Sequence, residues 1–561
     1  MLLNRSTELK KDRIPLTRLR KSVPAVMIYG SFLLAMVLTL SQKHNYYVDE
    51  MFTYGQANHQ GSKEFGIEDG VIYAPALRPF MEFLSVSPEH RFDYANTWRN
   101  TASGVHPPLY HSLVHTVCSL FPERFSPWYA GSINIACALM TLYFLRRLGR
   151  LFLKDEQQMT VLSLFFVFSA GILSAVSFLR MYVMAMMWVT ALTACLAGEA
   201  VRPDGGYGFY LKAALIVFLG ALTHYYCIVY AVLAVCTLGV YWMLTGRLKR
   251  AVALIPAMAA AGTASCAIYP AMLRHVFSEY RGKQVLENAG RASDFFFRLK
   301  TFLTLTDREL FGCLGMILLA SAAVLVVLHF KGQRGDAKAK AAADARSLAK
   351  PAWLLLTLPT LLYFLIILKI TVTDFSIVRF SGSSVWIDRY MFPVYANLLL
   401  VAALMLIRSA EQLKISVGRK LPVLCLLLGG MTVSGWFTVG WPYLYRDSVP
   451  FLRTVAKAEG AEAVCFYKEK WFVEVMFEEA KGYGSIQFCK IDNGEVKRQL
   501  LERIRESEAE RLVVCVVGAT GAEERQALIN GVMEASGRLK DCELLGSFGY
   551  GTSFLLSIPG H

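Results

Sequence analysis

Acidic side chains are scarce in this 561-residue chain, with 43 Asp and Glu against 58 Lys and Arg, and charged residues of all kinds make up only 18%. A soluble protein carries nearer a quarter charged residues. With 55% hydrophobic residues and a mean hydropathy of +0.40, this deficit excludes an ordinary soluble enzyme. No CxxC or Cys/His spacing among the 12 cysteines suggests a structural zinc site. Many of them (Cys137, Cys195, Cys236, Cys266) sit in apolar runs and read as small apolar residues. A nucleotide-gripping loop is missing too, since Gly518-Ala519-Thr520-Gly521 lacks the Lys-Ser/Thr ending. The net charge of +15 does not indicate nucleic acid, because the basic residues lie largely in short loops between apolar runs, where they set topology.

What is present is a series of apolar runs of hydrocarbon length flanked by Lys and Arg, the pattern of a polytopic helical membrane protein. Residues 1–22 are basic (Arg5, Lys10, Lys11, Arg13, Arg18, Arg20, Lys21), and the apolar run 23–41 has no small-x-small cleavage site near its end. It reads as a retained first span with a cytoplasmic N-terminus. Residues 42–107 are too polar to span and read as an outer loop with interfacial helices. Spans are expected near 127–145, 159–178, 181–199, 209–223, 226–244, 251–272, 312–330, 351–370, 390–408 and 421–441, with a polar loop over 274–311. The run 108–121, about 14 residues, is short of a full crossing. It either enters and returns or spans with a partner, and a full crossing would invert the sidedness of everything after it. Loops 331–350 and 408–420 are basic and fall on the cytoplasmic side.

From 442 to 561 the composition becomes that of a small soluble α/β domain on the outer side. Strand-like runs at Ala463–Tyr467, Ser485–Lys490 and Arg511–Val517 alternate with amphipathic stretches 493–510 and 520–538, and a strand pair, Cys542–Phe548 and Thr552–Ile558, ends the chain. Cys465, Cys489, Cys515 and Cys542 could pair outside the cell or stay reduced in the sheet core.

With sides assigned by the charge rule, the unusual polar residues collect at one membrane face. Asp49 and Glu50 follow the first span, His106 closes the outer loop, and Arg180 and Tyr182 lie in an outer turn. Thr223-His224-Tyr225-Tyr226 forms the next outer turn, and Asp388-Arg389-Tyr390 opens a later span, preceded by Asp374 and Arg379. Taken singly, Arg180 or Arg389 could be a snorkelling anchor and His224 an interface-belt residue. Together they suit transfer from a lipid-linked phosphate. Arginines and histidines would hold the anion, and a carboxylate would accept the proton of the attacking hydroxyl. A transporter or flippase for a lipid-linked or anionic substrate is the competing reading. Against it, no internal repeat is evident and the distinctive polar residues sit at one edge rather than at mid-membrane.

Val48-Asp49-Glu50 after the first span resembles the acidic motif of GT-C membrane glycosyltransferases, particularly the protein O-mannosyltransferase-like and lipid A aminoarabinose transferase-like group. Val105-His106-Pro107-Pro108-Leu109, Arg180-Met181-Tyr182, Thr223-His224-Tyr225 and Asp388-Arg389-Tyr390-Met391-Phe392-Pro393 resemble the group's further short motifs, in the same order. The resemblance covers about 23–440 and implies a GT-C fold of about 11–13 transmembrane helices. It implies a polyprenyl-phosphate-linked sugar donor and inverting transfer of a hexose or pentose to an envelope glycan, lipid or protein. Asp49 would be the general base, Glu50 would position donor or acceptor, and Arg389 would bind the lipid phosphate. His106, Arg180, Tyr182, His224, Tyr225 and Tyr390 complete the expected substrate-binding set. Asp49 and Glu50 are adjacent and would point oppositely in a strand-like segment, so no obligatory metal is expected, although some GT-C enzymes use a divalent ion. The expected setting is a bacterial cell membrane, with site and C-terminal domain extracytoplasmic. The chain departs from the protein O-mannosyltransferases by lacking their inserted β-trefoil domain.

Overall fold

The computed structural model describes residues 16–560 except 62–63, 205, 291–293, 333–336, 372–384, 414, 416 and 519–520. Most of residues 1–22, and Asp374 and Arg379, therefore lie outside the described residues. Among the described residues, seven helices are long and apolar enough to cross a membrane. Two further pairs, Glu156–Val167 with Ala170–Ser177 and Phe295–Phe311 with Met316–Val327, qualify jointly but are bent by 45° and 95°. With the shorter apolar helices Pro24–Leu40 and Gly206–Ala221 they reach the lower end of the expected span count. The chain is an integral membrane protein.

Burial separates the centre of this bundle from its rim. The Tyr182–Val201 helix is apolar all round and 83% of its span is buried, which places it at the core. It packs on Pro127–Gly149, Gly206–Ala221, Tyr225–Leu244 and the Ala337–Ile370 helix. Leu248–Ile268 and Arg419–Thr438, each only 22% buried, turn most of their surface outward. A polar knot ties the centre, where Asn397 Nδ2 donates to Tyr230 Oη (2.9 Å) and to the hydroxyls of Thr193 and Thr360 (3.2 Å each). Interhelical hydrogen bonds of this kind are what hold helices together where apolar contact alone cannot distinguish protein from lipid.

Two sequence expectations change here. Leu109–Leu120 is a 12-residue helix, about 18 Å long against a hydrocarbon core of about 30 Å. It packs on Val48–Asn58 and Tyr94–Ser103 instead of crossing. The stretch 274–311 is not a polar loop. It folds as Ala271–Phe277, Tyr280–Gly290 and Phe295–Thr306, and its basic Arg298 is buried by pairing with Asp294 (2.6 Å) and donating to the Thr371 carbonyl (2.9 Å).

The C-terminal domain holds a six-stranded sheet: β1 (Ile72–Tyr73), β2 (Glu462–Tyr467), β3 (Ser485–Lys490), β4 (Arg511–Val517), β5 (Asp541–Phe548) and β6 (Gly551–Ser557), in the order β1-β3-β2-β4-β6-β5. The centre is parallel (β3-β2-β4), and the flanking pairs are antiparallel. Alternation along β2 and β4 buries both faces. Val464, Phe466, Val514 and Val516 lie under the Gly494–Glu506 and Ala522–Ser536 helices, while Ala463, Cys465, Val513 and Cys515 join the core that continues into the membrane body. The described cysteines are all free.

The edge strand β1 is not part of the C-terminal segment. It comes from the loop after the first span, pairing Ile72 with Gln487 and Tyr73 with Ile486. Asp69 strengthens the seam by accepting from Tyr467 Oη (2.7 Å), the Lys490 amide (3.0 Å) and Asn493 Nδ2 (2.9 Å). Lys470 Nζ donates to the Ile67 carbonyl at 2.7 Å. An aromatic layer (Tyr46, Phe125, Phe477; Phe65, Phe80, Phe488) fills the space behind it.

Candidate active site

The site is built on the first turn of the Val48–Asn58 helix. Tyr47 is its N-cap residue and Glu50 sits at the third helical position, where its carboxylate reaches back to the Tyr47 amide (2.8 Å). The segment is thus a helix start rather than strand-like, and Asp49 and Glu50 diverge by a helical step. Glu50 is fully buried with Lys43 (2.8 Å, both side chains at 0% exposure) and also accepts from the Leu179 amide (2.8 Å). Both its oxygens are taken. It braces the helix start against the turn that carries Arg180, instead of facing a substrate as expected.

Asp49 points the other way and keeps 28% exposure, with Arg389 Nη1 3.3 Å from its Oδ2. Burial acts to raise its carboxyl, but Arg389, Arg180 and Arg281 together outweigh burial and hold it below the usual aspartate range. Arg180 is fixed by three bonds. Nη1 donates to the Asp49 carbonyl (2.8 Å) and Thr53 Oγ1 (2.9 Å), and Nη2 to His106 Nε2 (2.8 Å). A guanidinium has no acceptor, so His106 accepts through Nε2 and carries its proton on Nδ1. Burial, with Arg180 and His224 adding to it, drives the His106 pKa well below the usual histidine value.

His224 caps the Tyr225–Leu244 helix, its Nδ1 accepting from the Tyr226 amide at 3.1 Å. Its proton therefore sits on Nε2. Burial and the two arginines push its pKa down to about 3, so it stays neutral. Aromatic rings wall this space: Tyr182 lies 5.1 Å from His224 and 6.4 Å from Tyr390, and Arg389 stacks on Tyr390 and Tyr47 at 5.1 and 5.7 Å. Behind Arg389, Asp388 accepts from the Arg389 amide (2.7 Å) and from Tyr443 Oη, and burial pushes it up to about 6.

The structure thus brings together Asp49, His106, Arg180, Tyr182, His224, Arg389 and Tyr390. It does not bring Tyr225. That side chain turns away to bond His275 Nδ1 (2.6 Å), and Tyr226 takes its place, 4.6 Å from His224 and 5.7 Å from Tyr390. Adjacent residues on a helix face about 100° apart, so starting the helix at Tyr225 decides which tyrosine looks inward. Arg281, on the Tyr280–Gly290 helix, also acts on Asp49, His106 and Tyr226 from the exposed rim. No short motif marks it; only the basic and aromatic character of its segment does.

Among the described residues, several buried N–H groups here have no hydrogen-bond acceptor: Arg180 Nε, Arg389 Nε and His224 Nε2. Buried donors are rarely left unpaired, and converging cationic and neutral donors are a binding set for an anion such as a phosphate. No cluster of three or more His, Cys, Asp or Glu side chains forms a metal-ligating group among the described residues.

No protein-family model and no curated protein matches the sequence. Solved structures do. The crystal structure of ArnT from Cupriavidus metallidurans bound to undecaprenyl phosphate aligns with a TM-score of 0.53 at 10% identity, over 95% of this chain and 98% of that one. The apo form of the same protein gives 0.52 at 11% identity, over 95% and 97%. The Archaeoglobus fulgidus oligosaccharyltransferase tethered to an acceptor peptide is a more distant likeness, at 0.43 and 9% identity over 93% and 74%. The chain has the GT-C fold, with a small sheet domain at its C-terminal end.

Proposed function

We propose that this protein is a membrane glycosyltransferase that moves a sugar from a polyprenyl-phosphate donor to a hydroxyl acceptor, with inversion, using Asp49 as general base. The observation that carries this reading is the juxtaposition of a partly exposed carboxylate with buried N–H groups of Arg180, Arg389 and His224 that have no partner among the described residues. ArnT, which shares the fold, is described as binding undecaprenyl phosphate.

In the reaction the acceptor oxygen attacks the anomeric carbon while its proton passes to an Asp49 oxygen. The bond from that carbon to the phosphate oxygen breaks, and its electron pair leaves with the polyprenyl phosphate, which gains a second negative charge. Arg180, Arg389 and His224 donate to this developing charge from fixed positions, the arrangement that lowers a barrier without reorganisation. Neutral His106 keeps Arg180 aimed. Tyr182, Tyr226 and Tyr390 exclude water around the phosphate, and Arg281 draws the anion toward the rim.

The Arg389–Asp49 pair gives the base a gate. A carboxylate held by three arginines is a weak base. A donor phosphate offers Arg389 a second anion at close range, which loosens its hold on Asp49 and raises the basicity of that carboxylate when donor is present. Expected for Asp49→Asn is loss of transfer by about 10²–10⁴-fold, the usual worth of a general base, with polyprenyl-phosphate binding kept. Release of radiolabelled hexose from polyprenyl-phosphate hexose by the purified protein measures this. Equal turnover in wild type and variant removes Asp49 from the role. Donor movement across vesicles without sugar release replaces the enzyme by a lipid transporter. The proposed active side is extracytoplasmic, as is the C-terminal domain.

A further inference from the structure

The C-terminal domain presents one acid to the site that the reaction above does not use. Glu474 lies in the short helical segment Lys470–Met476, which packs directly against the Val48–Asn58 helix. It is 1% exposed, and neither carboxylate oxygen has a hydrogen-bond partner among the described residues. Among the described residues, Asp49 is the charged group that acts on it. Nearby Lys470 does not answer it, its ammonium being engaged with the Ile67 carbonyl.

Around Glu474 the domain builds a rim. The β5–β6 turn places Tyr550 against Phe472 and Trp471, with ring centres 4.7 and 5.5 Å apart, and Gly549, at φ +58°, sits where a Cβ would come 3.4 Å from Val475. The Tyr550 hydroxyl shares a hydrogen bond with Tyr47, the cap of the Asp49 helix. Trp471 and Tyr550 each keep 39% exposure, so two aromatic residues stand open beside a buried, unpartnered carboxyl.

Asp49 is thus acted on from two directions of charge, by Arg389 3.3 Å away and by Glu474 on the docked Lys470–Met476 segment. An anionic group placed beside the attacking hydroxyl would meet the Asp49 carboxylate, whereas neutral hydroxyls would supply the hydrogen bonds that Glu474 lacks. We propose that the Lys470–Met476 segment and the β5–β6 turn form the acceptor side of the site, and that Glu474 hydrogen-bonds a hydroxyl of a neutral carbohydrate acceptor stacked on Trp471 and Tyr550. This rests on the glycosyl-transfer reading, but it is tested by binding alone.

The full-length protein in nanodiscs is titrated with octyl glucoside below its micelle concentration, with octyl glucoside 6-phosphate, and separately with polyprenyl phosphate. The wild type should bind the glucoside at least tenfold more tightly than its phosphate ester. Glu474→Leu and Trp471→Ala should each weaken glucoside binding about tenfold, Glu474→Gln should retain most of it, and none should change polyprenyl-phosphate binding. Removing an unpartnered buried acid should also leave the thermal midpoint of Glu474→Leu at or above that of wild type, which a structural carboxyl would not do. Unchanged glucoside binding in Glu474→Leu, preference for the phosphate ester, no glucoside binding by the wild type, or a lowered midpoint overturns the proposal. Failure of the wild type to bind polyprenyl phosphate counts against the donor reading and leaves the glucoside result to stand by itself.

Discussion

Replacing Glu50 by Gln tests whether the site is held from behind by a buried charge pair. Lys43 and Glu50 are wholly out of solvent, 2.8 Å apart, and Lys43 also donates to the Tyr443 carbonyl at 2.7 Å. Burial depresses the Lys43 ammonium, and Glu50 is what opposes that. The amide cannot neutralise Lys43, and its NH₂ group must face either the Tyr47 or the Leu179 amide, donor against donor. Removing one member of a buried pair costs about 3–5 kcal/mol, which is about two to nearly four decades in an opening equilibrium. The assay is hydrogen exchange of the Val48–Asn58 amides, whose protection should fall by about 10²–10⁴, with sugar transfer lost as Asp49 shifts. Adding Lys43→Met should restore part of the protection, because it removes the orphan ammonium and leaves only the donor-against-donor contact of the amide. Less than about a tenfold change in protection for Glu50→Gln would refute the brace, and so would a double variant no better than the single one.

Further outcomes follow from the same geometry. The kcat/KM profile for donor reports the free protein, so its acidic limb should lie below the usual aspartate value of about 3.9. Arg389→Gln, which removes the nearest positive charge, should move that limb upward; an unmoved limb assigns it to another group. Stability from the depressed Asp49 is present above its unfolded value and lost as pH falls through the folded one. Glu474 runs the other way: burial, with Asp49 adding to it, raises its pKa. Its contribution is full below the unfolded value of about 4.3 and is lost as pH rises. The melting advantage of Glu474→Leu over wild type should therefore widen from pH 4 to 7, and a constant difference would contradict the assignment. Tyr226→Phe should raise the donor KM several-fold. Tyr225→Phe should leave KM alone and lower stability by about 1 kcal/mol, the worth of its bond to His275.

The apolar runs made the bundle legible because span length is set by the bilayer and not by tertiary detail. The strands of the C-terminal sheet were legible for a similar local reason, each being a short run of alternating or wholly apolar residues. Asp49, His106, Arg180, His224 and Arg389 stood out because charge and imidazole at a membrane edge are costly wherever the chain goes next. What escaped depends on packing between distant segments. Choosing Tyr226 over Tyr225 needs the phase of a helix whose start is fixed by the His224 cap. Lys43 reads as a flanking cation until Glu50 is seen 2.8 Å away with both side chains sealed. Ile72–Tyr73 is too short to read as a strand, since its partner lies more than 400 residues later. Glu474 sits among charged and aromatic residues with no motif, and only the docking of its segment on the Asp49 helix gives it meaning.

That two-residue strand also imposes an order on biosynthesis. Ile72 and Tyr73 leave the ribosome long before Gln487 and Ile486 exist, and Asp69 waits equally long for Tyr467, Lys490 and Asn493. At about 5–20 residues per second, the interval is on the order of tens of seconds to over a minute. Throughout it the loop after the first span has a bare edge and the Asp49 helix lacks one wall. The membrane bundle can be inserted and packed before the wall beside Asp49 exists, and the segment that follows the bundle is what covers that helix. A nascent chain stalled within the bundle would thus be an inserted protein whose Asp49 helix still lacks the wall that the Lys470–Met476 segment provides.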